Sequence, residues 1–258
     1  MAELHQVFGK VVDDKIRAFP DKAKIIKTAK ERGRLLAVRG SMDYVENVLP
    51  HCYAAEKLLI DPNSPPENLT DFDVVFIGCP GELNLQEWQS PLLTILNEGG
   101  VLLTTDWCLG NVVQKLFPET ICKKGTAHGE FPLRVRQPDH LLLQGIANCE
   151  GTPWVVETSS HRIHVLDPKQ VQVLLDAPSM GGDSAVLVAF EVGRGLVVHA
   201  ISHFHLQGSE ESGEYVSAYI LTNVIDEAMR RRYPEPHSPR VHVIEPNKKL
   251  RIRIIKSS

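Results

Sequence analysis

Through the first half of the chain, short apolar runs alternate with segments whose apolar residues recur every three or four positions. RLLAVRG (34–40), YAAEKLLID (53–61), DVVFIG (73–78) and GVLLTTDW (100–107) have the length and composition of strands buried on both faces. Between them, SMDYVENVLPHC (41–52), LNLQEWQSPLLTILNEGG (83–100) and NVVQKLF (111–117) carry helical spacing, the first opened by Ser41 and Asp43 as cap-type residues and the second stopped by Gly99 and Gly100. DPNSPPENLTD (61–71) reads as a loop by its turn chemistry. Strands that alternate with helices predict an α/β fold, a mostly parallel sheet with helices on both faces.

The second half changes period. FPLRVRQPDHLLLQGI (131–146), TPWVVETSSHRIHVL (152–166), VQVLLDAP (171–178) and AVLVAFEVGRGLVVHAI (185–201) are successive strand candidates, with Gly193-Arg194-Gly195 as a hairpin turn. Helix returns at GEYVSAYILTNVIDEAMRRR (213–232), where Tyr215, Ala218, Tyr219, Leu221, Thr222 and Ile225 form one apolar face. Residues 1–33 read as a helical extension ending at Gly33, residues 34–232 as the main domain, and residues 233–258 as a Pro-rich linker followed by a strand pair, VHVIEP and KLRIRIIK.

Composition narrows the class. A chain of 258 residues with 43% hydrophobic and 23% charged content is ordinary for a globular protein and can bury a sizeable core. Five cysteines at irregular spacing form neither a disulfide framework nor a paired zinc motif, which favours a reducing compartment. With no basic, apolar leader and no run long enough to span a bilayer, the chain is expected to be soluble and cytoplasmic, with no membrane role. The formal charge of −4 divides unevenly: residues 229–258 carry about +7 and the remainder about −11. In that tail LRIRIIK alternates as a solvent-edged strand does, and no aromatic residues interleave to stack bases, so nucleic acid is not an expected partner.

Candidate chemistry gathers in three short motifs, each following a strand-like run: GCPG (78–81), WCLG (107–110) and HFHLQ (203–207). In a parallel sheet the functional groups lie beyond the carboxyl ends of the strands, where helix N-termini present free N–H groups that lower a thiol's pKa. Cys108 stands at such a turn and can be a nucleophile or a small buried hydrophobe. GCPG can bring backbone N–H groups close to a ligand or can be an inert turn around Cys79. His203 and His205 alternate and so point the same way, and His199 joins them if the strand is regular. The spacing H-x3-H-x-H gives His199, His203 and His205 as an alternative metal set, completed by Cys108 or Asp106. Neither a phosphate loop nor a dinucleotide fingerprint is present, and no cofactor is expected.

In their order, with roughly 30 residues from loop to elbow and roughly 100 from elbow to histidine, GCPG, DWCLG and HFHLQ resemble the oxyanion loop, nucleophile elbow and histidine motif of the class I glutamine amidotransferase-like superfamily. The resemblance covers about residues 34–228. DHLLLQGI and GRGLVVHAISHF look more like its uncharacterised and trehalose-utilisation-type branch than like true glutaminases. It implies a flavodoxin-like fold, Cys108 as nucleophile, His205 as catalytic histidine, and Gly78, Cys79, Gly81 and Leu109 around an oxyanion. Three departures bear on activity. Gln207 replaces the acid two residues after the histidine, Asp106 replaces the elbow's first glycine, and Val112 replaces the glutamine-gripping residue. The resemblance therefore implies a domain that has lost glutaminase activity and serves as a binding or scaffolding module in a larger assembly. Its partner would be a protein or a second copy of the chain, with a small-molecule ligand possible in the sheet-end cleft. The alternative is a Cys-His hydrolase or transferase using Cys108 and His205 on a small amide, ester or thioester, with Glu210, Glu211 or Glu214 in place of the acid.

Overall fold

The computed structural model of the protein describes residues 2–146, 149–209 and 211–234. In chain order it contains α1 (Ala2–Ala18), α2 (Lys22–Arg32), β1 (Arg34–Val38), α3 (Val45–Val48), β2 (Glu56–Ile60), β3 (Val74–Ile77), α4 (Leu85–Asn97) and β4 (Val101–Thr105). There follow α5 (Gln114–Leu116), β5 (Ile121–Pro132), β6 (Arg134–Val135), β7 (Pro153–Val165), β8 (Gln172–Asp176), β9 (Ala185–Val192), β10 (Gly195–Ala200) and α6 (Glu211–Arg232). The strand pair expected at VHVIEP and KLRIRIIK lies outside the described residues.

Five strands run parallel in the order β2-β1-β3-β4-β10, and β9, β7 and β5 extend the sheet antiparallel beyond β10. β8 pairs with β9, and β6 with β8. The fold is α/β, as the alternating pattern predicts. β3, β4 and β10 are buried along their whole length, which is why they read as continuous apolar runs. The hairpin at Gly193-Arg194 joins β9 to β10 and fixes their register. Because β4 and β10 are parallel neighbours, Thr105 lies opposite Ala200, and both strands deliver their following loops to the same edge of the sheet.

One local expectation is corrected and two are narrowed. DHLLLQGI forms a single 3-10 turn, Leu141–Leu143, rather than a strand. His140 caps it by accepting the Leu142 N–H at 3.1 Å, and Asn223 of α6 donates to the Leu142 and Gln144 carbonyls, so Leu142 and Leu143 are buried by a turn docked on a helix while Leu141 stays exposed. Helix in SMDYVENVLPHC is limited to one turn before Pro50 enters a 3-10 turn. NVVQKLF begins inside a π-type turn, Leu109–Val113, that runs into α5.

Instead of one apolar face, α6 is buried nearly all round from Val216 to Met229. Its outer side is covered by α1 and α2, whose Val7, Phe8, Val11, Ile26 and Ala29 join the same core as the sheet. Asp226 on that outer side is satisfied internally. Asp226 takes the ammonium groups of Lys15 at 2.6 Å and Lys22 at 2.8 Å, and it accepts a short hydrogen bond from the Tyr53 hydroxyl. Burial lowers the Lys15 pKa to about 8, an effect that the Asp226 carboxylate opposes.

Candidate functional site at the sheet end

The three sequence motifs meet where β3, β4 and β10 end. After β4 the chain turns sharply at Asp106, whose φ of 45° is a left-handed conformation that a residue with a side chain adopts only when its surroundings hold it there. The Asp106 N–H donates to the Ala200 carbonyl, and its Oδ1 accepts the His161 N–H at 2.9 Å. The elbow's strained residue is therefore Asp106, two positions before Cys108. Cys108 already has helical φ and ψ at the entrance to the π-type turn.

Cys108 is fully enclosed. Its Sγ lies 3.4 Å from both the Ile77 and Gly78 carbonyl oxygens, to which the thiol can donate. Gly81 sits directly over it: a Cβ there would stand 2.9 Å from the sulfur and 2.8 Å from a Val112 methyl, and φ is +75°. Asn111 fastens this lid by donating to the Pro80 carbonyl at 2.7 Å. Burial pushes the Cys108 thiol well above its ordinary pKa, and Cys79 adds to the rise.

Three of the four backbone donors named for an oxyanion are engaged elsewhere. Gly78 N–H donates to the Val38 carbonyl at 3.0 Å, Gly81 N–H to Gly78 at 3.0 Å, and Leu109 N–H to Asp106 at 2.9 Å. Cys79 is buried, its sulfur 3.9 Å from Asp106 Oδ2.

The histidines divide into separate environments. His205 is partly buried, and its Nδ1 lies 3.2 Å from Asp43 Oδ1, while Asp43 Oδ2 accepts from the Thr105 hydroxyl at 2.6 Å. Its ring stacks on that of His203, centroids 5.5 Å apart and planes 12° from parallel, as their alternation predicts. His203 is fully buried, with Nδ1 2.7 Å from Glu157 Oε2 and Nε2 3.7 Å from Asp106 Oδ2. His199 belongs to β10 proper: its Nδ1 pairs with the Thr104 hydroxyl at 2.9 Å, and its other ring nitrogen is buried without a hydrogen-bond partner among the described residues. Burial lowers its pKa to about 3, and His161, stacked under Trp107, is lowered to about 4 for the same reason.

Gln207 turns away from His205. Its Oε1 accepts the Val155 N–H at 2.8 Å, and its Nε2 donates to the carbonyls of Val155 and His203 at 3.0 and 2.9 Å, clamping the exit of β10 onto β7. The acid beside His205 is Asp43, which sequence reasoning treated only as a cap, and the acid beside His203 is Glu157, which it did not single out. Glu210 lies outside the described residues.

Burial raises the Asp106 carboxyl to about 6, against the lowering effects of the His161 N–H and His203. At the rim, Met42 and Tyr44 are 53% and 54% exposed, and Tyr44 meets the His205 ring edge-on at 5.2 Å. The site thus pairs a sealed thiol with a buried carboxylate and imidazole under an apolar rim. Among the described residues no helix is long and apolar enough to cross a membrane.

An α/β domain with its polar cluster at the carboxyl edge of a parallel sheet is a widely shared architecture, and solved structures share this one. A protein from Thermoplasma acidophilum described as a GMP synthase component superposes with a TM-score of 0.54 at 11% identity, covering 76% of this chain and 94% of its own. A ThuA-like protein from Bacteroides uniformis gives 0.51 at 12% identity, covering 74% and 91%. Part of a β-galactosidase from Rahnella sp. R3 gives 0.50 at 12% identity over 71% of this chain, which spans only 30% of that enzyme's length. At this level of identity the likenesses show a shared α/β fold. No protein-family model and no curated protein sequence matches the chain.

Proposed function

We propose that the chain is an amidotransferase-like domain that has lost glutaminase chemistry and acts as a binding module in a larger assembly, with the Met42–Tyr44 rim as its contact surface. The enclosure of Cys108 carries the reading. A nucleophile must reach substrate as a thiolate, whereas this sulfur is covered by Gly81, faces two carbonyl oxygens and has its ionisation suppressed by burial. The engagement of the Gly78, Gly81 and Leu109 N–H groups supports it further, because an oxyanion would find those donors already committed. Large exposed apolar side chains beside the cleft support a contact role.

Two measurements test this. Under native conditions iodoacetamide is expected to modify the partly exposed Cys122 well before Cys108, with glutamine hydrolysis at the buffer rate and unchanged in Cys108→Ala. Glutamate release that Cys108→Ala abolishes would overturn the reading. For the contact role, a photo-cross-linker at position 42 is expected to couple the chain, in its native cell, to a defined second molecule, whereas one at the exposed position 16 of α1 should not. Equal or absent coupling at both positions removes the binding role.

A further inference from the structure

Behind the rim, Cys79, Asp106 and His203 converge. One ligand-type atom from each lies within 4.8 Å of the others, and all three residues are buried. Cys79 Sγ to Asp106 Oδ2 is 3.9 Å, and Asp106 Oδ2 to His203 Nε2 is 3.7 Å. A tetrahedral zinc ion with ordinary bond lengths sets its sulfur, nitrogen and oxygen ligands about 3.3–3.6 Å apart, so these two pairs need to contract by a few tenths of an ångström and the Cys79–His203 pair, which lies within 4.8 Å, by at most about 1.2 Å. We propose that Cys79, Asp106 and His203 bind a borderline-soft divalent cation, zinc above all, leaving the fourth position for a water or a ligand group.

The outer atoms of these side chains are held so that the inner ones face a common point. Asp106 Oδ1 is fixed by the His161 N–H, which leaves Oδ2 turned toward His203 and Cys79. His203 Nδ1 lies 2.7 Å from Glu157 Oε2 without meeting hydrogen-bond geometry, so Glu157 stands on the side of the ring from which carboxylates orient metal-binding histidines. Nε2 is buried and has no hydrogen-bond partner among the described residues. The left-handed backbone at Asp106 is what brings its carboxylate into the cluster. Thiol, imidazole and carboxylate are the donors that zinc accepts together, and a cation would offset the cost of burying them.

A neighbouring trio, Asp43, His203 and His205, is equally compact, but both Asp43 oxygens are already used, by His205 and by the Thr105 hydroxyl. His199 of the sequence-derived set has one ring nitrogen committed to Thr104. The proposal does not depend on the binding role above, since metal content is read without any partner.

The test uses the full chain. After removal of metal with a chelator, titration with cobalt(II) should give stoichiometric binding, intense tetrahedral d–d bands and a thiolate-to-metal charge-transfer band, with zinc displacing the cobalt. Cys79→Ser should abolish the charge-transfer band, whereas Cys122→Ser should keep it. Glu157→Gln, at a half-exposed position that should leave folding intact by circular dichroism, should weaken zinc about 10- to 100-fold. Substoichiometric binding, cobalt bound without the charge-transfer band, a band that survives in Cys79→Ser, or unchanged zinc affinity in Glu157→Gln would each overturn the assignment.

Discussion

Two buried polar clusters in this molecule are built on opposite terms. Between α6 and the N-terminal helices, Asp226, Lys15, Lys22 and Tyr53 are all buried and bonded to one another, and the Tyr53 hydroxyl oxygen also lies 3.0 Å from the Thr222 carbonyl. At the sheet end, His203 Nε2, His199 Nε2, His161 Nδ1 and Ser202 Oγ are buried without a hydrogen-bond partner among the described residues. Burying a polar group without a partner is costly, so folds rarely keep several such groups together for stability alone. The contrast separates a cluster whose groups satisfy one another from one that keeps buried polar atoms without partners among the described residues.

The first cluster is the easiest to break. Asp226→Ala would leave the ammonium of Lys15, 1% exposed, and that of Lys22, 8% exposed, without their counter-charge, and should cost about 3–5 kcal/mol in urea unfolding. A loss below about 1 kcal/mol would mean that the two lysines reach water by moving α1 and α2, and that the cluster does not join the helices.

The second cluster should show itself in acid. His199 has a folded pKa of about 3 against an ordinary 6.5, so between these values the unfolded chain binds the extra proton and stability falls as pH falls. At pH 5 the loss relative to pH 7.5 is about 2 kcal/mol from this residue alone. The groups around the ring are the Thr104 hydroxyl, which pairs with it, and the imidazole of His161, which also resists protonation. Asp106, raised to about 6, acts in the opposite direction below that pH, but equally in the wild type and in a His199→Gln variant. The difference in acid slope between the two therefore isolates His199, and equal slopes would show that its ring is hydrated in the folded state.

How far these clusters can be read from sequence follows from what each depends on. The central parallel strands were legible because burial on both faces leaves a continuous apolar run, as in β3, β4 and β10, whereas the edge strand β2 is exposed to half-buried. The proximity of the elbow to HFHLQ follows from β4 and β10 being parallel neighbours that end together. One site feature was legible in principle: Asp106 occupies a position where the resembling family has glycine, and it takes a glycine-like conformation there. The pairing of His205 with Asp43 was not legible, since a loop after β1 supplies the acid 162 residues away and a cap-type Asp before a helix signals nothing else. Glu157 and His161 enter from β7, in the antiparallel extension, whose placement beside the elbow no local pattern encodes. DHLLLQGI misled because burial against α6 makes a turn as apolar as a strand, although Pro138 and Asp139 before it and Gly145 after it are turn residues.

The smallest effect discriminates best between the two kinds of burial. Ser202 is 1% exposed and its hydroxyl has no hydrogen-bond partner among the described residues, so Ser202→Ala removes an unsatisfied group and should leave stability within about 0.5 kcal/mol of wild type, or raise it. Thr105, no more exposed and one strand away, gives its hydroxyl to Asp43 at 2.6 Å, and Thr105→Val should cost about 1.5–3 kcal/mol because a buried carboxylate loses a charge-assisted bond. Both can be read from urea midpoints at neutral pH, provided the slope of the transition is unchanged. If Ser202→Ala costs as much as Thr105→Val, its hydroxyl is bonded in solution after all, and the sheet-end cluster is satisfied in the same way as the one beneath α1 and α2. If the two separate as expected, the partnerless groups at the sheet end, unlike the Thr105–Asp43 pair, are held in place by the surrounding fold alone, which is the condition under which a bound ligand or ion would find them free.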